Sequence, residues 1–441
     1  MPSRPSKRKS PSRSAWRQWV EPWYLAYALQ GATVAGLAPI LLPLAVSHTG
    51  NPAHIGLVMA AVSLGGLTAP LWGGLADRYR LHRWLLAGGL LVTAGGLAAF
   101  PFTSQPVVWF GLALLQGTGA AAAATVANLF VVEAHPKREW DERIGWLQTF
   151  YGGGQVAGLM LAGALSISYL RPGLVAAAGL TAVGALVGLA TAQTPPSPHK
   201  GPRPVLLDPA RHGEWSLSSP QRLFHHLSAG TVKVMGTALR SPFGLFLLAW
   251  LLAFGGSAAV FSLYPVLMQQ LFGVAPGVSS SVFALAAGLG LLLYSPAGIW
   301  SDRWGPGRVL GAGFGLRLLA LVGLLGLGLV QSGGASWLAM GAFVLVVLSW
   351  SLLTVSGTAL TAKLSPVGEG EGMGLYNAVT AAAGVLGAAL GGWAAGLWGY
   401  NAASAMAAAG VALGLLLAIG IRAHLLAPLE TPTATKGTMS P

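Results

Sequence analysis

Apolar stretches recur along almost the whole chain, separated by short connections that are polar or rich in Gly and Pro. An α-helix needs about 20 mostly apolar residues to cross a bilayer, and these stretches reach that length. Bounding them by polar residues, Gly and Pro predicts twelve spans. The first six lie near 22–46, 53–76, 84–104, 106–133, 144–168 and 173–193, and the second six near 242–268, 279–300, 308–331, 336–363, 373–397 and 402–422.

A long polar segment, rich in Pro, Arg, His and Ser, divides the spans into two sets of six. Its residues 220–239 space apolar side chains among basic ones, which fits either a short helix along the membrane surface or a flexible linker. The predicted organisation is a basic cytoplasmic arm at 1–21, a six-helix bundle at 22–193 and a cytoplasmic linker at 194–241. A second six-helix bundle at 242–422 and a cytoplasmic tail at 423–441 follow.

The two sets of spans also repeat each other in sequence. An offset of 225 residues pairs Gly73 with Gly298, Asp77 with Asp302, Arg78 with Arg303 and Arg83 with Arg308, and an offset of 229 pairs Glu142 with Glu371 and Gly158 with Gly387. Duplicated halves are common in membrane transporters. The fold class predicted is an all-α membrane protein with twelve transmembrane helices in two pseudo-symmetric six-helix bundles.

Composition supports a membrane environment and excludes several kinds of chemistry. Hydrophobic residues make up 54% of the chain and charged residues only 8%, where a soluble domain has about 25% charged residues. The chain contains no Cys, which excludes disulfides, thiolate nucleophiles and Cys-ligated metals. His225 and His226 are adjacent and lack nearby carboxylates, which argues against a metal site. We therefore predict no metal, no cofactor and no enzymatic activity.

The net charge of +13 is distributed in a way that predicts topology. Apart from Arg171 and Arg317, the Lys and Arg residues lie in the arm, the linker, the tail and the connections on one side of the bundle. This positive-inside pattern predicts a multi-pass inner-membrane protein with both termini in the cytoplasm and needs no nucleic-acid partner. The arm could also contact anionic lipid. It does not begin a cleavable signal peptide, because the apolar segment at 22–45 exceeds the h-region length of about 7–15 residues.

Two short connections carry a related motif, GGLADRYRLHR after the second span and AGIWSDRWGPGR after the eighth. Both resemble the signature of the major facilitator superfamily, a family of secondary transporters. The resemblance implies a charge network at a cytoplasmic gate, formed by Gly73, Asp77, Arg78, Arg83, Gly298, Asp302, Arg303 and Arg308. The alternative is that these charges only fix topology. Arg80 stands where the signature has its second Gly, so we expect this turn to differ from the one at Gly305.

Two further segments resemble this family less closely. ALLQGTGAAAAA in the fourth span matches a family motif at Gln116, Gly117 and Gly119, but Ala113 replaces the Arg that drug/proton antiporters use in proton coupling. The absence of this Arg weakens an antiport assignment. FYGGGQVAGLMLAGA in the fifth span is rich in Gly, as in antiporters, but lacks their Pro. Close helix packing through small residues is the favoured interpretation of these glycines.

Polar residues within the spans are candidates for a central cavity, which the resemblance places between the two halves. They are Gln30, Gln116, Asn128, Gln148, Tyr151, Gln155, Tyr264, Ser351 and Asn377. Each has an alternative role in an interhelical hydrogen bond. Together they predict a mainly apolar, uncharged cavity. Arg317 is the only charge deep in a span, roughly 13 Å along its helix from Arg308. It either reaches back towards the cytoplasm or binds substrate or an anion.

The sequence thus predicts a monomeric secondary active transporter that works by alternating access and exports a small amphipathic or hydrophobic compound. Its partners would be this substrate and the lipid bilayer. One alternative is a facilitator or importer of a neutral polar solute such as a sugar, and another is a non-transporting sensor or assembly partner. Because no carboxylate lies deep in a span, proton coupling would be absent or would use Asp77, Asp302 or a Glu at a cytoplasmic helix end.

Overall fold

The computed structural model describes residues 19–136, 139–166, 169–192, 241–330, 335–366 and 369–426. Most of the predicted arm at 1–21, nearly all of the linker at 194–241 and most of the tail at 423–441 lie outside these residues. Those boundaries, the alternative structures of residues 220–239 and the environment of the linker histidines therefore stay predictions.

The described residues form twelve successive helices and no strand, and each helix overlaps one predicted span. In the first half, α1 is built from Tyr24–Gln30, Gly31–Leu37 and Ala38–Ser47, α2 from Pro52–Gly66 and Ala69–Tyr79, and the others are α3 His82–Ala99, α4 Pro106–Ala134, α5 Trp140–Leu165 and α6 Leu170–Thr191. In the second half they are α7 Pro242–Phe272, α8 Pro276–Trp304, α9 Pro306–Val330, α10 Ala335–Leu364, α11 Glu369–Trp398 and α12 Tyr400–Leu426.

Among the described helices, 11 are long and apolar enough to cross a membrane by length and composition alone. The exception is α5, whose central part carries Gln148, Gln155 and three consecutive glycines, Gly152–Gly154. The packing of α5 explains this composition, because the helix lies against α1 and α8 inside the bundle. A helix that is covered by other helices can carry polar residues that lipid would not tolerate.

Each half packs its helices in the same pattern. In the first half, α1 packs on α5 and α6, α2 on α4, and α3 on both α4 and α6. In the second half, α7 packs on α11 and α12, α8 on α10, and α9 on both α10 and α12. These matching pairings confirm the predicted arrangement of two pseudo-symmetric six-helix bundles.

The bundle has two ends, which we name by where the described chain lies. The terminal face is the end at which α1 begins at Tyr24 and α12 ends at Leu426, and the opposite face is the end at which α1 finishes at Ser47. Odd-numbered helices therefore run from the terminal face to the opposite face. The halves contact each other through α2 with α11, α5 with α8, and the Ala38–Ser47 piece of α1 with α7.

Glycines bring the backbones of α1 and α5 into direct contact. A Cβ at Gly154 would overlap the carbonyl oxygen of Ala28, and a Cβ at Gly158 would overlap that of Ala32. This confirms that glycines of the fifth span serve close packing. Opposite them, Gly31–Leu37 of α1 is π-helical, a rare conformation that the sequence pattern did not predict.

The two signature turns differ, as the residue at the second Gly position led us to expect. Arg80 ends α2 in the left-handed conformation, with φ 55° and ψ 35°. Gly305 follows α8 with φ 85° and ψ 143°, a region that is nearly restricted to glycine. The equivalent connections of the two halves are therefore closed by different backbone geometry.

We expect Gly305→Ala to lower the stability of the protein by about 1–3 kcal/mol, because alanine is strained at these dihedral angles. The matched control is Gly298→Ala, since Gly298 lies within α8 and a Cβ there would meet no atom within 4 Å. Alanine is the better helix former, so this change should be neutral or slightly stabilising. Melting of the two purified variants in detergent measures the difference. Equal melting temperatures would contradict the assignment of strain to the turn.

Candidate substrate cavity

A cavity of about 420 Å³ lies between the two halves, near the middle of the helices. The first half contributes Ala35, Pro39, Met59, Ser63, Tyr151 and Gln155. The second half contributes mainly aromatic and hydroxyl side chains, among them Phe254, Ser257, Phe261, Tyr294, Trp350 and Ser351. None of the lining residues in the described part of the chain is Asp, Glu, Lys or Arg. The cavity is thus apolar with a few hydroxyl and amide groups.

The two halves touch closely between this cavity and the opposite face. In the α2–α11 contact, a Cβ at Gly392 would lie 2.6 Å from the Cα of Gly56. In the α5–α8 contact, a Cβ at Gly163 would lie 3.0 Å from the carbonyl oxygen of Gly277, and Ser280 donates a hydrogen bond of 2.6 Å to the carbonyl of Leu159. The absence of side chains at these positions lets the helices close this end.

Nearer the terminal face, the described glycines of these four helices have no close neighbour in the other half. A Cβ at Gly145, Gly298 or Gly374 would meet no atom within 4 Å, and one at Gly73 would meet only Thr125 of its own half. The Ala69–Tyr79 piece of α2 packs on α4 and α3, also in its own half. The halves therefore meet at the opposite face and diverge towards the terminal face.

Three of the predicted cavity residues line this cavity, namely Tyr151, Gln155 and Ser351. Ser351 donates to the carbonyl oxygen of Gly290 at 2.7 Å, which joins α10 to α8. The ring of Tyr151 packs on that of Tyr27, with centroids 4.9 Å apart. The hydroxyl of Tyr27 in turn lies within hydrogen-bonding reach of two further predicted residues, Asn128 and Gln148, so these side chains form a polar group beside the cavity.

The remaining predicted polar residues lie away from the cavity lining. Gln30 is buried between α1 and α4 and donates to the carbonyl of Ala120 at 2.8 Å. Gln116 is buried on the same face of α4, one turn before Ala120. Tyr264 donates to the carbonyl of Ser279 at 2.8 Å within the second half, and Asn377 is exposed.

Arg317 is buried in the middle of α9 and is directed sideways into the second half. Its Nε donates to Ser349 at 2.9 Å, its Nη1 to Ser257 at 3.2 Å, and its Nη2 to the carbonyl of Val346 at 3.1 Å. The guanidinium carbon also lies 5.3 Å from the ring centroid of Trp350. Two of these partners, Ser257 and Trp350, line the cavity.

Sequence reasoning missed the aromatic part of the lining, including Phe254, Tyr294 and Trp350. Apolar side chains on a membrane helix look the same whether they face lipid, another helix or a cavity. One signal was the position of Phe254 on α7 and of Trp350 on α10, because these helices also carry the predicted cavity residues Tyr264 and Ser351. Tyr294 and Trp350 also carried polar groups, a hydroxyl and an indole N–H, that could have identified them.

Most predicted gate residues lie near the terminal face. Asp302, Arg303 and Arg308 are exposed, and within the described residues none of them forms an ion pair. Arg83 is half-buried, while the side chains of Asp77 and Arg78 lie outside what the structure describes. Among the described residues, the second-half members of the expected gate network are therefore unpaired in this conformation, and the gate stays a prediction.

A different set of charges, which the sequence did not indicate, is paired at the terminal face of the first half. Glu21 lies 2.6 Å from His135 and 3.4 Å from Arg143, and Arg143 also contacts Glu139 at 3.1 Å. These contacts tie the start of α1 to the connection between α4 and α5. A sequence pattern cannot reveal them, because the partners are far apart in the chain and at helix ends where charges are common.

Comparison with known proteins connects this architecture to other transporters. The family model described as Major Facilitator Superfamily matches residues 23–340 and, in a second match, residues 245–438. No curated protein matches the sequence. Similar solved structures include the nucleoside transporter NupG, which is 13% identical with a TM-score of 0.67 over 92% of this chain and 98% of NupG.

Two other solved structures show a similar fold. A bacterial homologue of the human lysosomal transporter Spinster, in an inward-facing and occupied conformation, is 13% identical with a TM-score of 0.66 over 94% of this chain and 97% of its own. A D-xylose-proton symporter is 13% identical with a TM-score of 0.65, over 91% of this chain and 95% of the symporter. At these identities, the similarity establishes the fold and leaves the substrate open.

Proposed function

The chain belongs to the Major Facilitator Superfamily, and on this premise we propose that it is a secondary active transporter that exports a small amphipathic or hydrophobic compound. It would act as a monomer in the inner membrane, with the terminal face in the cytoplasm. The observation that carries the proposal is the apolar cavity between two halves whose described residues meet closely at the opposite face and not at the terminal face. Alternating access needs such a central site and one closed end at a time.

The asymmetry between the faces supports an alternating-access mechanism. Lys and Arg cluster in the connections of the terminal face, which the positive-inside rule assigns to the cytoplasm. The halves diverge towards that face, so this conformation would open the cavity to the cytoplasm, where an exporter takes up its substrate and an importer releases it. The gate residues Asp77, Arg78, Asp302 and Arg303 would then pair when the terminal face closes, which agrees with the exposure of Asp302 and Arg303 in this conformation.

The cavity lining favours an amphipathic compound over a sugar. Ser63, Ser257 and Ser262 donate their hydroxyl protons to carbonyl groups of their own helices, and Ser351 donates to Gly290. Few free polar groups then remain for a ligand, chiefly on Tyr151 and Gln155. A sugar would bury many hydroxyl groups that each need a partner, whereas an apolar body with few polar groups would not.

Dye accumulation in an efflux-deficient bacterium tests this function. Expression of the chain should lower the accumulation of amphipathic dyes, and a protonophore should restore it if export is driven by the proton gradient. Ala287→Trp places a large side chain in the cavity and should reduce export about 10-fold, because a loss of about 1.4 kcal/mol in substrate binding corresponds to a factor of ten. The matched control is Leu285→Trp, because Leu285 lies on the same helix and is 64% exposed.

Two results would contradict the proposal. Unchanged accumulation across the whole dye panel would remove drug-like export and favour the uptake of a neutral polar solute. Equal effects of Ala287→Trp and Leu285→Trp, with both proteins expressed at the wild-type level, would mean that the cavity is not on the transport path.

A further inference from the structure

Arg317 carries a buried charge that no other side chain neutralises within the described part of the chain. The residue is 1% exposed, and its three hydrogen-bond partners are two serine hydroxyls and one backbone carbonyl. None of the ion pairs among the described residues includes it. A buried cation without a counter-charge is costly in a membrane protein, and such residues usually serve a function.

The hydrogen bonds of Arg317 stabilise the guanidinium but leave its net charge in place. Serine hydroxyls and a carbonyl are neutral dipoles, and the Trp350 ring contributes only its π-electrons. The described acidic residues lie at helix ends and in connections, far from the middle of α9. The positive potential around Arg317 therefore extends into its surroundings, because solvent and salt screen a buried charge much less than an exposed one.

The nearest space into which this potential extends is the cavity between the halves. Ser257, which accepts a hydrogen bond from Nη1, and Trp350, which lies beside the guanidinium, both line the cavity. Val347 lines it as well and adjoins Val346, the carbonyl partner of Nη2. A ligand that touches Ser257 or Trp350 is thus separated from the guanidinium by a single side chain.

Ser257 is suited to transmit this charge to a ligand. Its hydroxyl accepts from Arg317 and donates to the carbonyl of Ala253 at 2.7 Å. Rotation of the hydroxyl would direct its proton to an anionic oxygen in the cavity while the bond from Arg317 is retained. The hydroxyl of Tyr151 and the amide of Gln155 line the other half and supply further donors for such an oxygen.

From this geometry we propose that the substrate is an organic monoanion with an apolar body, such as a lipophilic carboxylate, whose charge is balanced by Arg317 through Ser257. The inference rests on the transport function proposed above and specifies the substrate class of the same cavity. The apolar walls would accept the body of the compound, and the region near Ser257 would accept its anionic group. An anionic substrate would also supply the counter-charge that none of the described residues provides.

Binding of matched compounds to the purified full-length protein in detergent tests this proposal. The probes are 4-phenylbutyrate and its neutral amide, 4-phenylbutyramide, which differ only in the charged group. We expect the wild-type protein to bind the carboxylate at least about 10-fold more tightly than the amide. Isothermal calorimetry measures both affinities. Equal affinities, tighter binding of the amide, or no binding of the carboxylate would overturn the proposal.

Variants of the protein test which residues cause the preference for the carboxylate over the amide. Arg317→Gln should bring the two affinities within about 3-fold of each other, and Arg317→Lys should keep part of the preference. Arg171→Gln is the control of equal charge, because Arg171 is exposed at the opposite-face end of α6, and it should keep the full preference. If Arg317→Gln does not fold, Ser257→Ala replaces it and should weaken binding of the carboxylate but not of the amide. A preference that survives these changes would assign the anion site elsewhere.

The two proposals fail in different ways. Dye export in cells without any preference for the carboxylate would overturn the anionic substrate and leave the transporter intact. A strong carboxylate preference that depends on Arg317, combined with no transport of either compound into or out of proteoliposomes, would overturn the transporter and leave the anion site.

Discussion

Oxidation of a variant that carries Ala53→Cys and Gly396→Cys is expected to stop transport, and reduction is expected to restore it. A Cβ at Gly396 would lie 3.6 Å from the Cβ of Ala53, within the range of about 3.5–4.5 Å that disulfides require. The two residues belong to α2 and α11, so the bond would join the halves at the opposite face. Because the wild-type chain contains no Cys, no other thiol can take part.

The control is a disulfide of similar geometry within one half. A Cβ at Gly188 of α6 would lie 3.7 Å from the Cβ of Ala26 of α1. If the halves move as rigid bodies, oxidised Ala26→Cys/Gly188→Cys should transport at a normal rate. Flux is measured in proteoliposomes, and cross-linking is measured by loss of thiol labelling. Normal transport by the fully cross-linked Ala53/Gly396 variant would mean that this face need not open.

The substitution Gly154→Leu is expected to reduce the yield of folded protein at least about 10-fold. A side chain at this position would meet the backbone of Ala28, which cannot turn aside as a flexible side chain can. The two helices would have to separate, and with them the packing of Gly158 on Ala32. Overpacking of a well-packed core costs about 1–3 kcal/mol, and backbone overlap lies at or above the top of that range.

The neighbouring glycine supplies the control for this prediction. Gly153 is exposed, and a Cβ there would meet no atom within 4 Å. Gly153→Leu should therefore give nearly the wild-type amount of monodisperse protein in size-exclusion chromatography. Similar losses for both variants would show that α5 is intolerant of bulk in general, and that its contact with α1 is not the cause.

The sequence predicted the helices well because bilayer thickness imposes a length that apolar runs must meet. The repeat followed from matching residues such as Asp77 and Asp302. The break in α2 after Gly66 and the π-helical Gly31–Leu37 were not predicted, because both depend on how a helix packs on its neighbours. Local propensity does not encode such contacts.

The cavity residues that the sequence could predict were those with polar side chains, because such side chains are conspicuous in apolar spans. Tyr151 and Ser351 were found because polar groups are rare in spans, and Gln30 was selected for the same reason although it bonds within the first half. Phe254, which also lines the cavity, carries no such signal. Arg317 was identified as exceptional, but only the structure reveals that it lies behind Ser257 and not at the membrane surface.

The π-helical segment also bears on how α1 can change in evolution. A π-helical turn closes its hydrogen bonds one residue later than an α-helical turn, so this stretch contains about one residue more than an α-helix would need to cover the same rotation. Loss of one residue between Gly31 and Leu37 would convert the segment to α-helix and keep Tyr27 and Pro39 on their present faces. The same deletion in α7, which is a continuous α-helix, would turn all following side chains by about 100°.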